Sequence, residues 1–177
     1  MFVPVYFVSA DQLNVLSPLD NTLGPVSIVV TSGGVSSAPF LANLQPSAPS
    51  FPLVGSTNYV VATHADYSLV GPTALSVPGY TFTPARKGET IILYAFGLGL
   101  PAGALVNGSS IQSSPLQLFP QVQMGGAPAA VTYAGVISPG LYQLNVTIPN
   151  NAPVGDNRLV LTYGGQSSPS SDLITIQ

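Results

Sequence analysis

The 177-residue chain has no cysteine and no tryptophan, and it has one histidine. Without cysteine there is no disulfide framework, no thiol nucleophile and no thiolate-ligated metal. Charge is almost as scarce. Three Lys and Arg and six Asp and Glu make up 5% of the chain, against about 25% in an ordinary soluble domain. So few basic side chains exclude an electrostatic nucleic-acid binder, which needs clustered Lys and Arg. They also exclude a polybasic membrane-surface protein. Long apolar runs are missing too. The longest spans residues 91–106 and is interrupted by Gly97, Gly99, Pro101 and Gly103. It is too short and too broken for the ~20-residue helix a bilayer requires, so no membrane insertion is expected. Residues 1–10 are apolar but follow no Lys or Arg, which makes them a poor signal peptide. An exported chain would carry its leader further upstream or have lost it.

Apolar and neutral polar residues take the place of charge. Hydrophobic residues make up 46% of the chain, enough for a core, so disorder is not expected. Ser and Thr number 32 and are spread along the whole chain. A coat of hydroxyls and amides is insensitive to salt, and low charge removes the repulsion that keeps molecules apart. Such a surface suits an exported protein that persists outside the cell or packs side by side.

The chain repeats itself. Gln12-Leu13-Asn14-Val15 recurs 131 residues later as Gln143-Leu144-Asn145-Val146. The same offset pairs Pro18 with Pro149, Gly24 with Gly155, Gly33-Gly34 with Gly164-Gly165, and Ser36-Ser37 with Ser167-Ser168. Twelve of the 26 positions from 12 to 37 are identical without a gap, which marks an internal duplication. Upstream, Val5-Tyr6-Phe7 pairs with Val131-Thr132-Tyr133 once a short insertion near Ser138-Pro139-Gly140 is allowed.

Each copy has the period of a strand. Tyr142, Leu144, Val146 and Ile148 fall on one face, and Gln143, Asn145 and Thr147 on the other. Leu13, Val15, Leu144 and Val146 are therefore predicted buried, with Gln12, Asn14, Gln143 and Asn145 facing outward. Leu159, Leu161 and Tyr163 alternate in the same way, and Gly164-Gly165 supplies a turn that needs positive φ. Gly125-Gly126 predicts a hairpin between residues 121–124 and 129–133. Pro or Gly recurs every few residues and no long helical period is present, so the pattern is that of an all-β sandwich or barrel.

The copies are unequal. The second has earlier strand-like segments at residues 89–96, 116–124 and 127–134. The first has only residues 1–8 ahead of the duplicated block, so its opening strands are supplied by residues 46–84, supplied by another chain, or outside this sequence. Residues 46–52, with Pro46, Pro49 and Pro52, read as an extended linker. Short strands are expected at residues 58–63 and 81–83, around a loop containing His64 and Asp66.

Gly88-Glu89-Thr90-Ile91-Ile92-Leu93-Tyr94-Ala95-Phe96-Gly97-Leu98-Gly99 resembles the opening of an IPT/TIG-type immunoglobulin-like module. The segment from Gly24-Pro25 to Gly33-Gly34 resembles the way such modules close. The whole chain is similar to a tandem immunoglobulin-like C-terminal region of large exported proteins of Acidobacteria such as Solibacter. The shared features are the Gln-Leu-Asn-Val strand, the loop His64-Ala65-Asp66-Tyr67-Ser68-Leu69 and the Tyr94-Ala95-Phe96-Gly97-Leu98-Gly99 strand end. The resemblance implies tandem immunoglobulin-like sandwich modules, the first incomplete, and export to the cell exterior. It implies no catalytic residue. The corresponding division is a partial module over residues 1–45, a linker with short strands over 46–85 and a complete module over 86–177.

Motifs for chemistry are few. His64 would have to be the base of any Ser-His-Asp hydrolase, and Asp66 is too near in sequence to orient it. No Gly-x-Ser-x-Gly elbow exists. The carboxylates Asp11, Asp20, Asp66, Glu89, Asp156 and Asp172 are scattered singly, with neither the facing pair of a glycosidase nor the cluster of a calcium site. The sequons at Asn107 and Asn145 matter only in a host that glycosylates them. Arg86-Lys87 reads as a solvated turn. Neither catalysis, cofactor nor metal is expected, and His64→Ala is expected to leave folding intact.

Two functions follow from these residues. One is a structural or adhesive module of the cell exterior, a homo-oligomer or polymer assembling through edge strands. Its candidate residues are Phe2, Val3, Val5, Tyr6 and Phe7 at one end and Leu173, Ile174 and Ile176 at the other. Donation of a terminal strand to the next molecule would complete the deficient module. The other is a carbohydrate-binding module with polysaccharide as partner, using Tyr59, Tyr67 and Tyr80 from the aromatic-rich middle third. Tyr94 and Phe96 share a face with Ile92 and are predicted core. The lack of Trp weighs against the second function.

Overall fold

The computed structural model describes residues 2–19, 22–106 and 108–177. Asp20 and Asn107, two of the residues singled out above, lie outside them. Among the described residues the only helical element is one 3-10 turn at Thr73–Leu75, and the chain is otherwise strands and loops.

The first copy holds β1 (Val5–Val8), β2 (Leu13–Val15), β3 (Gly24–Ile28), β4 (Thr31–Ser32), β5 (Val35–Ser36) and β6 (Phe40–Leu44). They form three separate antiparallel pairs, β1 with β2, β3 with β6 and β4 with β5. After it come β7 (Ala62–Thr63), β8 (Leu69–Val70), β9 (Phe82–Thr83), β10 (Thr90–Ala95), β11 (Ser114–Pro115) and β12 (Gln121–Met124). The second copy proper follows with β13 (Ala127–Ser138), β14 (Leu141–Thr147), β15 (Gly155–Tyr163), β16 (Gln166–Ser167) and β17 (Leu173–Ile176). These eleven strands are connected in the order β16-β15-β12-β13-β14-β10-β7-β8-β9, with β11 on β13 and β17 on β15. The long β13 joins the two wings. Its first residues pair with β12 and its later ones with β14 and β11. Leu93, Leu144 and Val146 from one wing meet Val122, Leu159 and Ile174 from the other in a single core, so the sheet folds over on itself.

The duplication is real at the level of single hydrogen bonds. β1 pairs with β2 at Val5↔Val15, Phe7↔Asn14 and Val8↔Leu13, with a bulge between Val5 and Phe7. β13 pairs with β14 at Val131↔Val146, Tyr133↔Asn145 and Ala134↔Leu144, with a bulge at the same place. The Val30 amide donates to Ser37 Oγ at 3.1 Å, and the Leu161 amide to Ser168 Oγ at 3.1 Å. Gly33-Gly34 and Gly164-Gly165 turn with the same φ values, 58° and 79°. Two consecutive positive φ angles are what a two-residue hairpin turn needs, and glycine adopts them without strain. The structure also extends the repeat past residue 37. Gly24 pairs with Leu44 and Gly155 with Ile176, so Leu41-Ala42-Asn43-Leu44-Gln45 corresponds to Leu173-Ile174-Thr175-Ile176-Gln177, one residue out of the earlier offset.

Residues 46–85 are not a linker. Phe51, Val60, Ala62, Val70 and Ala85 belong to the core, and Phe82 is buried. The proline-rich stretch does run extended, but as an edge segment against the end of β10. The Ala48 amide donates to the Gly97 carbonyl at 2.8 Å and the Ser50 amide to the Phe96 carbonyl at 3.2 Å. Pro49, which has no amide to give, sits between the two residues that donate, and Pro46 precedes them, the arrangement an edge strand tolerates. This close approach also explains the Gly-x-Gly that ends β10. A Cβ on Gly97 would collide with the Ala48 carbonyl, and one on Gly99 would lie 2.6 Å from that of Pro46. Because Ser50 and Phe96 pair here at the sheet margin, Phe96 is exposed and Tyr94 is half-buried, while Ile92 is buried. The two aromatic rings predicted as core therefore lie toward solvent.

Candidate functional site

The two copies have the same backbone and opposite burial. Leu144 and Val146 on β14 are 0% exposed, whereas their counterparts Leu13 and Val15 on β2 are 40% and 51% exposed. Leu159 and Leu161 on β15 are fully buried, and the matching Ile28 and Val30 are exposed. Val8, Val35, Phe40 and Leu41 are exposed as well. No described residue before Phe51 belongs to the core. The prediction that Leu13 and Val15 are buried is thus corrected, while Leu144 and Val146 are buried as predicted. Alternation tells which side of a strand is apolar. It does not tell whether a second layer is there to cover that side.

The missing strands can be named from the second copy. There β14 lies between β13 and β10, and β15 takes β12 along Leu159, Val160, Leu161 and Thr162. In the first copy β2 pairs with β1 alone, and among the described residues no strand lies along Ile28 to Thr31 where β12 would be. Among the described residues, strands equivalent to β10 and β12 are what this half-sandwich lacks. The result is an apolar face rimmed by unpaired backbone, two features that together mark an interaction surface.

The terminal candidates divide. Phe2, Val5, Tyr6 and Phe7 are exposed and Val3 is half-buried. Apart from its pairing with β2, β1 reaches out through the Tyr6 hydroxyl, which donates to the Ser109 carbonyl at 3.1 Å. The other end is committed. Ile174 and Ile176 are buried, and β17 is hydrogen-bonded along both edges. One edge meets β15. On the other, the Val60 amide donates to the Leu173 carbonyl at 3.0 Å and the Ala85 amide to the Thr175 carbonyl at 2.9 Å. Ile174 and Ile176 are therefore interior residues and Leu173 is half-buried, on a strand whose two edges are both paired. Asp156 fastens them further, accepting from Thr175 Oγ1 at 2.6 Å and from the Tyr59 hydroxyl at 2.8 Å.

Between the copies lies a cleft of about 490 Å³, lined by Leu16, Pro18 and Leu23 on one side and Leu100, Leu105 and Tyr142 on the other. The Tyr142 hydroxyl donates to the Gly99 carbonyl. Burial, and then the neighbouring Tyr163, push its pKa up to about 12.

A second, polar cleft surrounds His64, lined also by Asp66, Thr83, Arg86 and Glu89. His64 Nδ1 lies 3.0 Å from Glu89 Oε1, and its Nε2 lies 2.9 Å from Thr83 Oγ1. A hydroxyl, an imidazole and a carboxylate thus stand in one line, which sequence separation hid: Glu89 precedes β10, which pairs with β7, and Thr83 lies on β9, held across β8. The same Nε2 lies 3.3 Å from Thr83's own carbonyl. The ring then ties β7, β9 and β10 together as a bracket. Asp66 hydrogen-bonds within its own loop instead. It accepts from the Ser68 hydroxyl at 2.6 Å and the Ser68 amide at 3.0 Å, bonds that hold its pKa below the usual carboxylate value. Among the described residues no three His, Asp or Glu side chains gather as a metal site.

The glycan candidates are only partly gathered. Tyr67 and Tyr80 are exposed, and each stands two residues before the paired positions Leu69 and Phe82 of the parallel strands β8 and β9. They leave the same end of that pair. Tyr67 has a φ of 67°, uncommon for a residue with a side chain. Tyr59 is half-buried, and its hydroxyl is occupied by Asp156. That hydrogen bond foremost, then burial and the Asp156 charge, raise its pKa.

Among the described residues no helix is long and apolar enough to cross a membrane. No family model matches the chain, and no curated protein or solved structure matches it either.

Proposed function

We propose that the chain is a non-catalytic structural or adhesive protein of the cell exterior. In this reading it is built from tandem immunoglobulin-like sandwich modules, and the first acts as an open half that joins molecules together. The observation that carries the reading is the contrast between Leu13, Val15, Ile28 and Val30, all exposed, and their buried counterparts in the second copy. An apolar face of this kind is covered in any stable environment. The sparse charge and hydroxyl-rich coat leave little repulsion against association. With β17 committed inside its own module, head-to-tail donation of the C-terminal strand has no free strand to give. The contact proposed is between first copies, through β2 and the Ile28–Thr31 edge.

Light scattering across a concentration series tests this. The intact protein is expected to associate, and a variant carrying Val15→Asp and Val30→Asp to stay monomeric with an unchanged fold. A monomer at every concentration would refute self-association.

The exposed pair Tyr67 and Tyr80 supports one alternative, a carbohydrate-binding module. A polysaccharide pull-down in which Tyr67→Ala and Tyr80→Ala abolish retention would favour it.

A further inference from the structure

The outer edge of β2 has a partner whose sequence can be read from the second copy. β14 and β2 share Gln-Leu-Asn-Val, the same bulged neighbour and the same register to it. What runs along the far side of β14 is β10, antiparallel, with Ile91 opposite Val146, Ile92 opposite Asn145 and Leu93 opposite Leu144. Ile91 and Leu93 are 0% exposed and fill the core above those two residues. Moved back by the repeat offset, the same strand would set an Ile91-like side chain opposite Val15 and a Leu93-like one opposite Leu13. It would satisfy the backbone that β2 leaves unpaired and flank Leu13 and Val15 with two further apolar side chains on the same face.

We infer that the first copy is a receptor for a strand added in trans. Its ligand is an extended, uncharged segment of another polypeptide with the pattern of Thr90–Ala95, docking antiparallel on β2. The described β10 is not that ligand, because it is already held by β14 and β7, and lending it to a neighbour's β2 would leave its own β14 bare. The ligand proposed is an unpaired strand of another polypeptide. Main-chain hydrogen bonds would supply affinity and the alternate side chains register, as in other strand-addition complexes. The inference rests on the reading of the first copy as an open half-module, and it does not require self-association.

The test uses the full-length chain and a synthetic peptide with the sequence of residues 88–96, flanked by lysines for solubility and labelled for fluorescence anisotropy. Saturable binding of one peptide per chain is expected. Affinity should fall at least tenfold in the Leu13→Asp, Val15→Asp double variant, whose changes lie on exposed positions. A peptide with Lys in place of the residues matching Ile91 and Leu93 should fail to bind. So should one N-methylated on the amides that face β2. Absence of saturable binding overturns the inference. Binding that survives the double variant, or that a scrambled peptide reproduces, overturns it too, since the peptide is then not reading β2. Scattering on the same samples separates the two proposals. Self-association without peptide binding leaves the proposed function standing and ends this inference, and peptide binding by a monomer does the reverse.

Discussion

The same substitution made at the same strand position in the two copies should have unequal consequences. Leu→Ala removes three carbons, worth about 0.8 kcal/mol each when fully buried, or about 2.4 kcal/mol. At Leu144, which is 0% exposed, the unfilled cavity adds to this, and a total cost of about 3–4 kcal/mol is expected. At Leu13, which is 40% exposed, at most three-fifths of the transfer contribution applies, about 1.4 kcal/mol. No cavity adds to it because the site opens to water. Urea unfolding of Leu13→Ala and Leu144→Ala at a protein concentration too low for association should therefore separate the two by about 2 kcal/mol. At high concentration the gap should narrow, because a partner then covers Leu13 and its truncation begins to cost association as well. Equal destabilisation at the lowest concentration would refute the reasoning, since it would mean that Leu13 is already covered within one chain.

Three further outcomes follow from the second copy. Asp172 is 3% exposed, its Oδ2 has no hydrogen-bond partner, and burial raises its pKa. An acid with a raised folded pKa holds its proton longer in the native state, so its penalty is absent below the unfolded value of about 3.9 and grows as pH rises to the folded one. Asp172→Asn should raise the thermal midpoint at pH 7 and leave it nearly unchanged at pH 3 by calorimetry. Gly97→Ala should cost at least about 2 kcal/mol in urea unfolding, because it sets a Cβ against the Ala48 carbonyl at a φ of 70°. His64→Ala should lose about 1 kcal/mol of stability, the size of the bracket's net hydrogen bonding. Neither it nor Thr83→Ala should change the rate at which the protein hydrolyses a p-nitrophenyl ester, which should match buffer alone. An esterase rate that both variants abolish would make the Thr83-His64-Glu89 line a catalytic one.

Local periodicity carried most of the fold. The alternation of Tyr142, Leu144, Val146 and Ile148 placed β14 and its buried face, and Gly125-Gly126 placed the hairpin of β12 and β13. The repeat put Gly33-Gly34 and Gly164-Gly165 at equivalent turns. What periodicity could not carry was long-range pairing. Residues 46–52 show three prolines and read as a linker, because the partner that makes them an edge segment, Phe96-Gly97, is nearly fifty residues away. The ends of the chain look alike in sequence, yet β17 is enclosed by Asn58–Val60 and Ala85, which no pattern in Leu173–Ile176 announces. The candidate site was half visible. Duplication shows that the described first copy has no counterpart of β10 or β12 beside it, and Val5-Tyr6-Phe7 reads as apolar. The exposure of Leu13 and Val15 was missed, because a strand's own sequence is silent about the layer above it. The link from His64 to Glu89 was missed for the same reason as the edge segment.

The central claim is that the first copy is a half-sandwich open to solvent until another molecule covers it. Amide hydrogen exchange, resolved by residue and run at two protein concentrations, tests this most directly. At low concentration the amides of Leu13 to Val15 and Ile28 to Thr31 should exchange far faster than those of Leu144 to Val146 and Leu159 to Thr162. At high concentration the first set should slow, and the second should not change. Slow exchange of Leu13 to Val15 at the low concentration would contradict the account, because it would show the first copy to be complete by itself.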